Sequence, residues 1–142
     1  MGTPNRMIGL RHVSLFVQSV DRSVYFYTEI LGMQLKWSPD PDNVYLTFGA
    51  DVLAIHQANQ LRAFTYAKPH NKHVGLDHIG FTLQNERDVI DWYQHLADYK
   101  RSAVERHRDG SVGFYVEDPD GNSVEIIHLP VVSSLPGKRK TS

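Results

Sequence analysis

The sequence contains no cysteine, which excludes disulfide bonds, zinc–thiolate sites and thiol catalysis. It also lacks an apolar run of the roughly 20 residues that a membrane span needs, and its N-terminus has no apolar signal core. Neither sign of charge is in excess, because 15 Lys and Arg stand against 16 Asp and Glu. No basic stripe therefore predicts a nucleic-acid or membrane partner. We expect a cytoplasmic protein.

The composition is that of one compact domain with many histidines. The chain has 142 residues, of which 41% are hydrophobic, and this is enough for a real core. Eight residues are histidine, a high number for this length. Because neutral imidazole is a common metal ligand, we expect some of these histidines to be ligands.

Two stretches of the chain resemble each other, residues 9–16 and residues 75–81. In each, Gly-Leu and one charged residue precede a histidine, and β-branched or aromatic residues follow. Each stretch predicts a half-buried strand with the histidine on its more polar face. We interpret His12 and His78 as parts of one site that arose by internal duplication.

The pattern around each stretch predicts the same order of elements, strand–helix–strand–strand–strand. Ser19 is expected to cap the first helix, which ends at Gly32, and Asn85 to cap the second. A turn is predicted at residues 118–121. The predicted strands are 7–17, 33–37, 44–48, 52–56, 76–83, 102–106, 112–117 and 123–128.

These elements predict a single α+β domain over residues 7–129. Module one spans 7–57, a connector 58–74 and module two 75–129, and the ends 1–6 and 130–142 are expected to be flexible. Phe16, Phe48 and Trp37 are interpreted as core residues. Five other histidines are interpreted as solvent-facing or packing residues: His56, His70, His73, His95 and His128.

Glu125 is a charged residue inside an apolar strand, between Val124 and Ile126. A buried carboxylate needs a partner, because burial alone costs several kcal/mol. With His12 and His78 it would supply two imidazoles and one carboxylate. This is the ligand set of the facial triad of non-heme Fe(II) oxygenases, and it leaves open coordination positions.

Four motifs carry a resemblance to a known family: residues 10–13, 26–33, 76–79 and 114–125. Over about residues 7–129 the chain resembles the vicinal oxygen chelate superfamily, which includes glyoxalase I, extradiol dioxygenases, fosfomycin-resistance transferases and bleomycin-binding proteins. The resemblance implies two βαβββ modules that form a curled mixed sheet around a metal. It also implies His12, His78 and Glu125 as metal ligands. Glyoxalase I has a fourth ligand at the place of Ala54.

A second resemblance concerns the extradiol dioxygenases. Residues 106–115 are similar to the segment that ends in their active-site tyrosine, and Tyr115 lies ten residues before Glu125, as that tyrosine does before its ligand glutamate. His107 lies near a second histidine of that family. The resemblance places a further catalytic histidine near Asp51, where the chain has none, although His56 is close. No cluster of basic residues with Ser or Thr is evident for binding a phosphonate.

The leading hypothesis is therefore a metal-dependent enzyme that acts on a catechol or similar vicinal two-oxygen substrate with O2. His12, His78 and Glu125 would hold the metal, with Fe(II) favoured and Mn, Ni or Zn as alternatives. Tyr115 and His107 would be catalytic, and a homodimer is expected. One alternative is a glyoxalase-type isomerase or lyase similar to lactoylglutathione lyase. Another is a drug-binding or resistance protein that performs no chemistry.

Overall fold

The structure is a computed structural model that describes residues 2–59 and 75–130. The chain divides into two compact units: Met1–Ala67 with Asp118–Gly121, and Lys68–Glu117 with Asn122–Ser142. Most of the expected connector and the expected flexible tail, with His70 and His73, lie outside the described residues. The predicted boundaries of a single domain stay a prediction.

The first unit contains one four-stranded mixed sheet. Its strands follow the order β1-β4-β3-β2, in which β1 is parallel to β4 and the other pairs are antiparallel. Helix α1 connects β1 to β2 and continues as a π-helical turn over Phe26–Ile30. The elements are β1 His12–Val17, α1 Val20–Tyr25, β2 Gln34–Asp40, β3 Asn43–Thr47 and β4 Val52–Gln57.

The second unit repeats this topology. Its sheet has the order β5-β8-β7-β6, again with one parallel pair, β5 and β8. The elements are β5 Ile79–Thr82, α2 Asp88–His95, β6 Glu105–Arg106, β7 Val112–Glu117 and β8 Ser123–His128. The predicted fold class, α+β with two βαβββ modules, is confirmed.

Each sheet of the repeat has one buried face and one more open face. In β1, Leu15 and Val17 are buried, whereas His12, Ser14 and Phe16 are exposed. Because side chains alternate along a strand, this pattern fixes the face on which His12 lies. The polar face predicted for His12 is confirmed.

The first helix begins and ends where the sequence predicts. The Ser19 side-chain oxygen accepts a hydrogen bond from the backbone N–H of Arg22 at 3.2 Å, as an N-cap does. Tyr27 and Leu31 of its apolar stripe are buried. Gly32 has a φ of 93°, a conformation that glycine adopts without steric cost after a helix.

The turn Asp118–Gly121 belongs to the first unit and fixes helix α1 there. The Tyr27 hydroxyl donates a hydrogen bond to Asp118 Oδ2 at 2.6 Å, and both side chains are buried. Asp120 Oδ2 accepts from the Ser23 hydroxyl at 3.2 Å. Gly121 has the positive φ predicted for this turn, 85°.

Three local predictions are wrong. Strand β1 begins at His12, so residues 7–11 lie outside any strand although they were expected in it. Asn85 does not cap α2, whose N-cap is Arg87, because the Asn85 carbonyl accepts the N–H of Asp88 in a preceding turn at 3.2 Å. Strand β2 continues to Asp40, although the predicted strand ends at residue 37. It passes through Pro39, which an edge strand tolerates because no neighbouring strand needs the missing N–H there.

The three aromatic residues assigned to the core are also placed differently. Phe16, Trp37 and Phe48 are exposed, at 78%, 59% and 50% of their surface. Phe16 lies on the face of β1 opposite the buried Leu15 and Val17, and Trp37 lies on the edge strand β2, whose residues are all exposed. In the part of the chain that the structure describes, no helix is long and apolar enough to span a membrane.

Candidate functional site

Glu125 is the centre of a polar cluster in the second unit. It lies on β8, with Gly80 of β5 as its register partner on one side and Tyr115 of β7 on the other. Only 8% of its surface is exposed. Since Gly80 has no side chain, the carboxylate lies over it: a Cβ at that position would be 3.6 Å from Glu125 Oε1.

His78 directly precedes β5 and faces this carboxylate. Its Nε2 is 3.4 Å from Glu125 Oε1, and its Nδ1 is 2.6 Å from Asp77 Oδ2. A carboxylate at Nδ1 accepts the proton of that nitrogen, so the neutral ring presents its lone pair at Nε2. Asp77 therefore orients His78 as metal-ligating histidines are oriented.

Tyr115 contacts both of these residues. Its ring meets the His78 ring edge-on, with centroids 5.1 Å apart, and its hydroxyl interacts with the Glu125 carboxylate. Burial raises the pKa of Tyr115 to about 12, and the interaction with the Glu125 carboxylate acts in the same direction. The phenol is thus protonated at neutral pH and can donate a hydrogen bond.

His107 reaches the other oxygen of the same carboxylate. Its Nε2 lies 3.7 Å from Glu125 Oε2. It is held in a turn by a backbone hydrogen bond from its N–H to the Ser111 carbonyl at 2.8 Å. Hydrogen bonds from the side chain and backbone of Ser111 lower the pKa of Asp109 in the same turn.

His12 lies in the first unit, at the start of β1. It lines a cavity of about 290 Å³ on the open face of that sheet, together with Ser14, Val52 and His56. Ala54 is the register partner of Ser14, as Glu125 is of Gly80. Ala54 thus occupies the position in module one that Glu125 occupies in module two, and no carboxylate is supplied there.

His12, His78 and Glu125 are suitable ligands for a divalent ion, although the structure places only His78 and Glu125 together within one unit. Metal–nitrogen and metal–oxygen bonds of about 2.1 Å place neighbouring ligand atoms about 3–3.4 Å apart, which agrees with the 3.4 Å between His78 Nε2 and Glu125 Oε1. Among the residues described, no group of three or more His, Asp or Glu side chains is arranged to hold a metal ion. The structure thus brings together His78, Glu125, Tyr115 and His107 in one unit, and His12 in the other. Their role as a metal site stays a prediction.

Sequence reasoning missed several residues near these groups. It treated His56 as a packing or solvent residue, yet His56 shares the cavity of His12. It found no basic cluster with Ser or Thr, but Arg11 and Lys36 line that cavity with Ser14. These residues are distant in the sequence, and only the strand register brings them together. Asp77 could have been found, since it directly precedes His78.

Comparison with known proteins identifies the family. The model of the Glyoxalase/Bleomycin resistance protein/Dioxygenase superfamily matches residues 9–126. The chain therefore belongs to this superfamily, as the resemblance implied. Its members are mostly enzymes that act on small molecules and generally use a divalent metal.

Individual relatives carry several different activities in their names. Metallothiol transferase FosB from Staphylococcus saprophyticus is 28% identical over 121 residues, which are 82% of this chain and 74% of the relative. Glyoxylase I 4 from Arabidopsis thaliana is 28% identical over 141 residues, 92% of this chain and 78% of the relative. The crystal structure of a glyoxalase/dioxygenase from Nostoc punctiforme matches with a TM-score of 0.75 and 19% identity, over 92% of this chain and 97% of that one. The last similarity concerns the fold alone.

Proposed function

We propose that this protein is an extradiol-type dioxygenase that holds Fe(II) through His12, His78 and Glu125. The observation that carries the proposal is the cluster around Glu125, in which His78 and the protonated phenol of Tyr115 meet one buried carboxylate. Such a cluster combines candidate ligands with a hydrogen-bond donor at a single place. Ala54 supports the same proposal, because the missing fourth ligand leaves a coordination position for a second reactant.

When bound, the ion would supply a Lewis acid that lowers the pKa of a catechol hydroxyl and aligns the reactants. Asp77 holds His78 in the tautomer with Nε2 as its lone-pair atom. Tyr115 donates a hydrogen bond toward the negative charge that develops on the substrate oxygen. His107 is within reach of the same carboxylate and can carry a proton to or from the cluster.

His56 is a further proton acceptor in this proposal. The amide nitrogen of Asn43 donates to Asp40 at 2.8 Å, so the Asn43 oxygen faces His56. That oxygen lies 2.7 Å from His56 Nδ1 and accepts its proton. The neutral ring then has Nε2 as its acceptor atom, in the cavity that also contains His12.

The test is anaerobic loading of the protein with Fe(II), followed by a catechol and air. Consumption of O2 with formation of a yellow ring-cleavage product is the expected result. If no diphenol consumes O2 while a glutathione hemithioacetal is converted, the protein is an isomerase of the glyoxalase type. If the protein binds no metal at all, a binding protein without chemistry is the remaining interpretation.

A second candidate function is thiol transfer to a phosphonate. Similarity to metallothiol transferase FosB supports it, as does the presence of Arg11, Lys36 and Ser14 in one cavity, which could bind a phosphonate. Incubation of the metal-loaded protein with a thiol and an epoxide phosphonate tests it directly. Loss of free thiol without O2 consumption would favour this candidate over the dioxygenase.

The expected homodimer has its own test. In a dimer that joins His12 of one protomer with Glu125 of its partner, mixing the inactive variants His12→Ala and Glu125→Gln restores one intact site in each mixed dimer. Random exchange then returns about a quarter of the activity. Mixtures that stay inactive after subunit exchange would show that each site is built within one chain or that no dimer forms.

A further inference from the structure

The cavity on the open face of the first sheet has a composition that selects a ligand. It has a volume of about 290 Å³, and the candidate ligand His12 forms part of its wall. Two kinds of side chain dominate the rest of the lining, cations and aromatic rings. Each kind imposes a separate chemical requirement on whatever binds there.

The cations are Arg11 and Lys36. Among the described residues, the cavity lining includes no acidic side chain, and neither cation forms an ion pair. The carboxylate of Asp51, just before β4, lies outside this lining and accepts hydrogen bonds from neutral donors, the N–H of Phe48 at 2.7 Å and the hydroxyl of Thr47 at 3.2 Å. The cavity thus has uncompensated positive charge, and an anion is its natural ligand.

The aromatic rings form one wall of the cavity. Trp37 and Tyr45 are register partners on β2 and β3, and their rings stack with centroids 5.3 Å apart and planes at 23°. His56 meets Tyr45 edge-on at 5.8 Å. Since 59% of Trp37 is exposed, a planar ligand has an aromatic face on which to stack.

We propose that this cavity binds an aromatic carboxylate, with the carboxylate at Arg11 and Lys36 and the ring on Trp37. Under the proposed function, on which this extension rests, the substrate is therefore a catechol that carries a carboxylate. A neutral catechol would leave both cations unused. A small non-aromatic anion would leave the aromatic wall unused.

The experiment measures binding to the metal-free protein by quenching of Trp37 fluorescence. The substitution Trp92→Phe removes the other tryptophan, because the chain has two. The probes are phenylacetate, 3,4-dihydroxyphenylacetate and the neutral 4-ethylcatechol. Both carboxylates are expected to bind about tenfold more tightly than 4-ethylcatechol, with an affinity that falls as salt is raised.

Substitution of the two cations tests whether they bind the carboxylate. Arg11→Gln and Lys36→Gln should each remove most of the preference for carboxylates and leave 4-ethylcatechol binding unchanged. Arg108→Gln, an exposed cation outside the cavity, is the matched control and should change nothing. Equal affinities for charged and neutral probes, or no effect of the two cavity variants, would overturn the proposal. Methylphosphonate binding as tightly as phenylacetate would overturn its aromatic part.

Failure of this proposal can be distinguished from failure of the proposed function. Phenylacetate has no diol, and its binding needs neither metal nor O2. If phenylacetate binds as expected but metal-loaded protein consumes no O2 with any catechol, the dioxygenase assignment fails and the aromatic-carboxylate cavity stands. If catechols without a carboxylate are cleaved as well as those with one, the dioxygenase assignment stands and the selectivity fails.

Discussion

The two modules have the same strand order and register but different side chains at corresponding positions. Ser14 pairs with Ala54 in the first module as Gly80 pairs with Glu125 in the second. The second module thus has a buried carboxylate where the first has a methyl group. The comparison shows that β-sheet geometry alone does not define the site, because the same backbone position is a candidate ligand in one module and not in the other.

The residues that precede the two histidines differ in the same way. Asp77 accepts the Nδ1 proton of His78 and orients it. Arg11, at the corresponding place before His12, carries the opposite charge and lines the cavity. The second module therefore has the features of a metal-holding half, and the first has those of a ligand-binding half.

The largest expected effect comes from making the first module more like the second. Ala54→Glu would supply the fourth ligand that glyoxalase I has at this place, and under the proposed function it would occupy the coordination position of a reactant. We expect kcat/KM for O2-dependent cleavage to fall at least about 100-fold, while metal affinity rises. Ala54→Gln is the control of equal size without charge. Full activity of Ala54→Glu would contradict the equivalence of positions 54 and 125.

The helices of the two modules are also held by different contacts. The substitution Tyr27→Phe tests the contact that holds α1 in the first module. The substitution removes the hydrogen bond from the buried Tyr27 hydroxyl to Asp118. The free energy of unfolding should fall by about 2 kcal/mol, because the bond is made to a buried charged group. Urea denaturation measures this, with the exposed Tyr25→Phe as control. Equal stability of both variants would show that the turn does not fix α1.

The Tyr27 hydroxyl also predicts how the free energy of unfolding depends on pH. Burial, with the nearby charge of Asp118, raises the pKa of Tyr27 well above its usual value. The folded state therefore holds this proton more tightly than the unfolded state, whose tyrosine titrates near about 10. Its contribution to stability is complete below that pH and is lost as the pH rises further. The difference in unfolding free energy between wild type and Tyr27→Phe should shrink above about pH 10.

A smaller effect on metal affinity is expected from Asp77→Asn, which weakens the hydrogen bond that orients His78. Metal affinity should fall about tenfold, the low end for an outer-sphere carboxylate, because 74% of the Asp77 side chain is exposed. The measurement is a competitive metal titration, and Asp98→Asn is the control. Unchanged affinity would mean that His78 does not depend on Asp77 for its tautomer.

The smallest effect concerns the second helix, α2. The Arg101 guanidinium lies over the Tyr93 ring, 3.5 Å from its centroid, and donates to the Tyr93 carbonyl. Arg101→Met should lower the free energy of unfolding by about 1 kcal/mol. Arg101→Lys keeps the charge and should lose less. A larger loss for lysine than for methionine would exclude the cation–π contact as the cause.

The sequence predicted the repeated topology because alternating strands, a capped helix and a glycine turn are local features. Ser19, Gly32 and Gly121 are recognisable in this way. It could not predict that Trp37 and Phe16 are exposed, since hydrophobicity does not tell whether a given strand face is covered. It also missed the grouping of Arg11, Lys36 and His56, which depends on the pairing of four separate strands.

The most direct test of the account is the metal stoichiometry and affinity of wild type, His12→Ala, His78→Ala and Glu125→Gln. Anaerobic titration with Fe(II), or with Mn(II) followed by electron paramagnetic resonance, measures both. We predict one ion per chain in wild type and in the control His95→Ala, and at least about 100-fold weaker binding in each of the three variants. Wild-type affinity in any of those three variants would show that the ion is not held by this set of side chains.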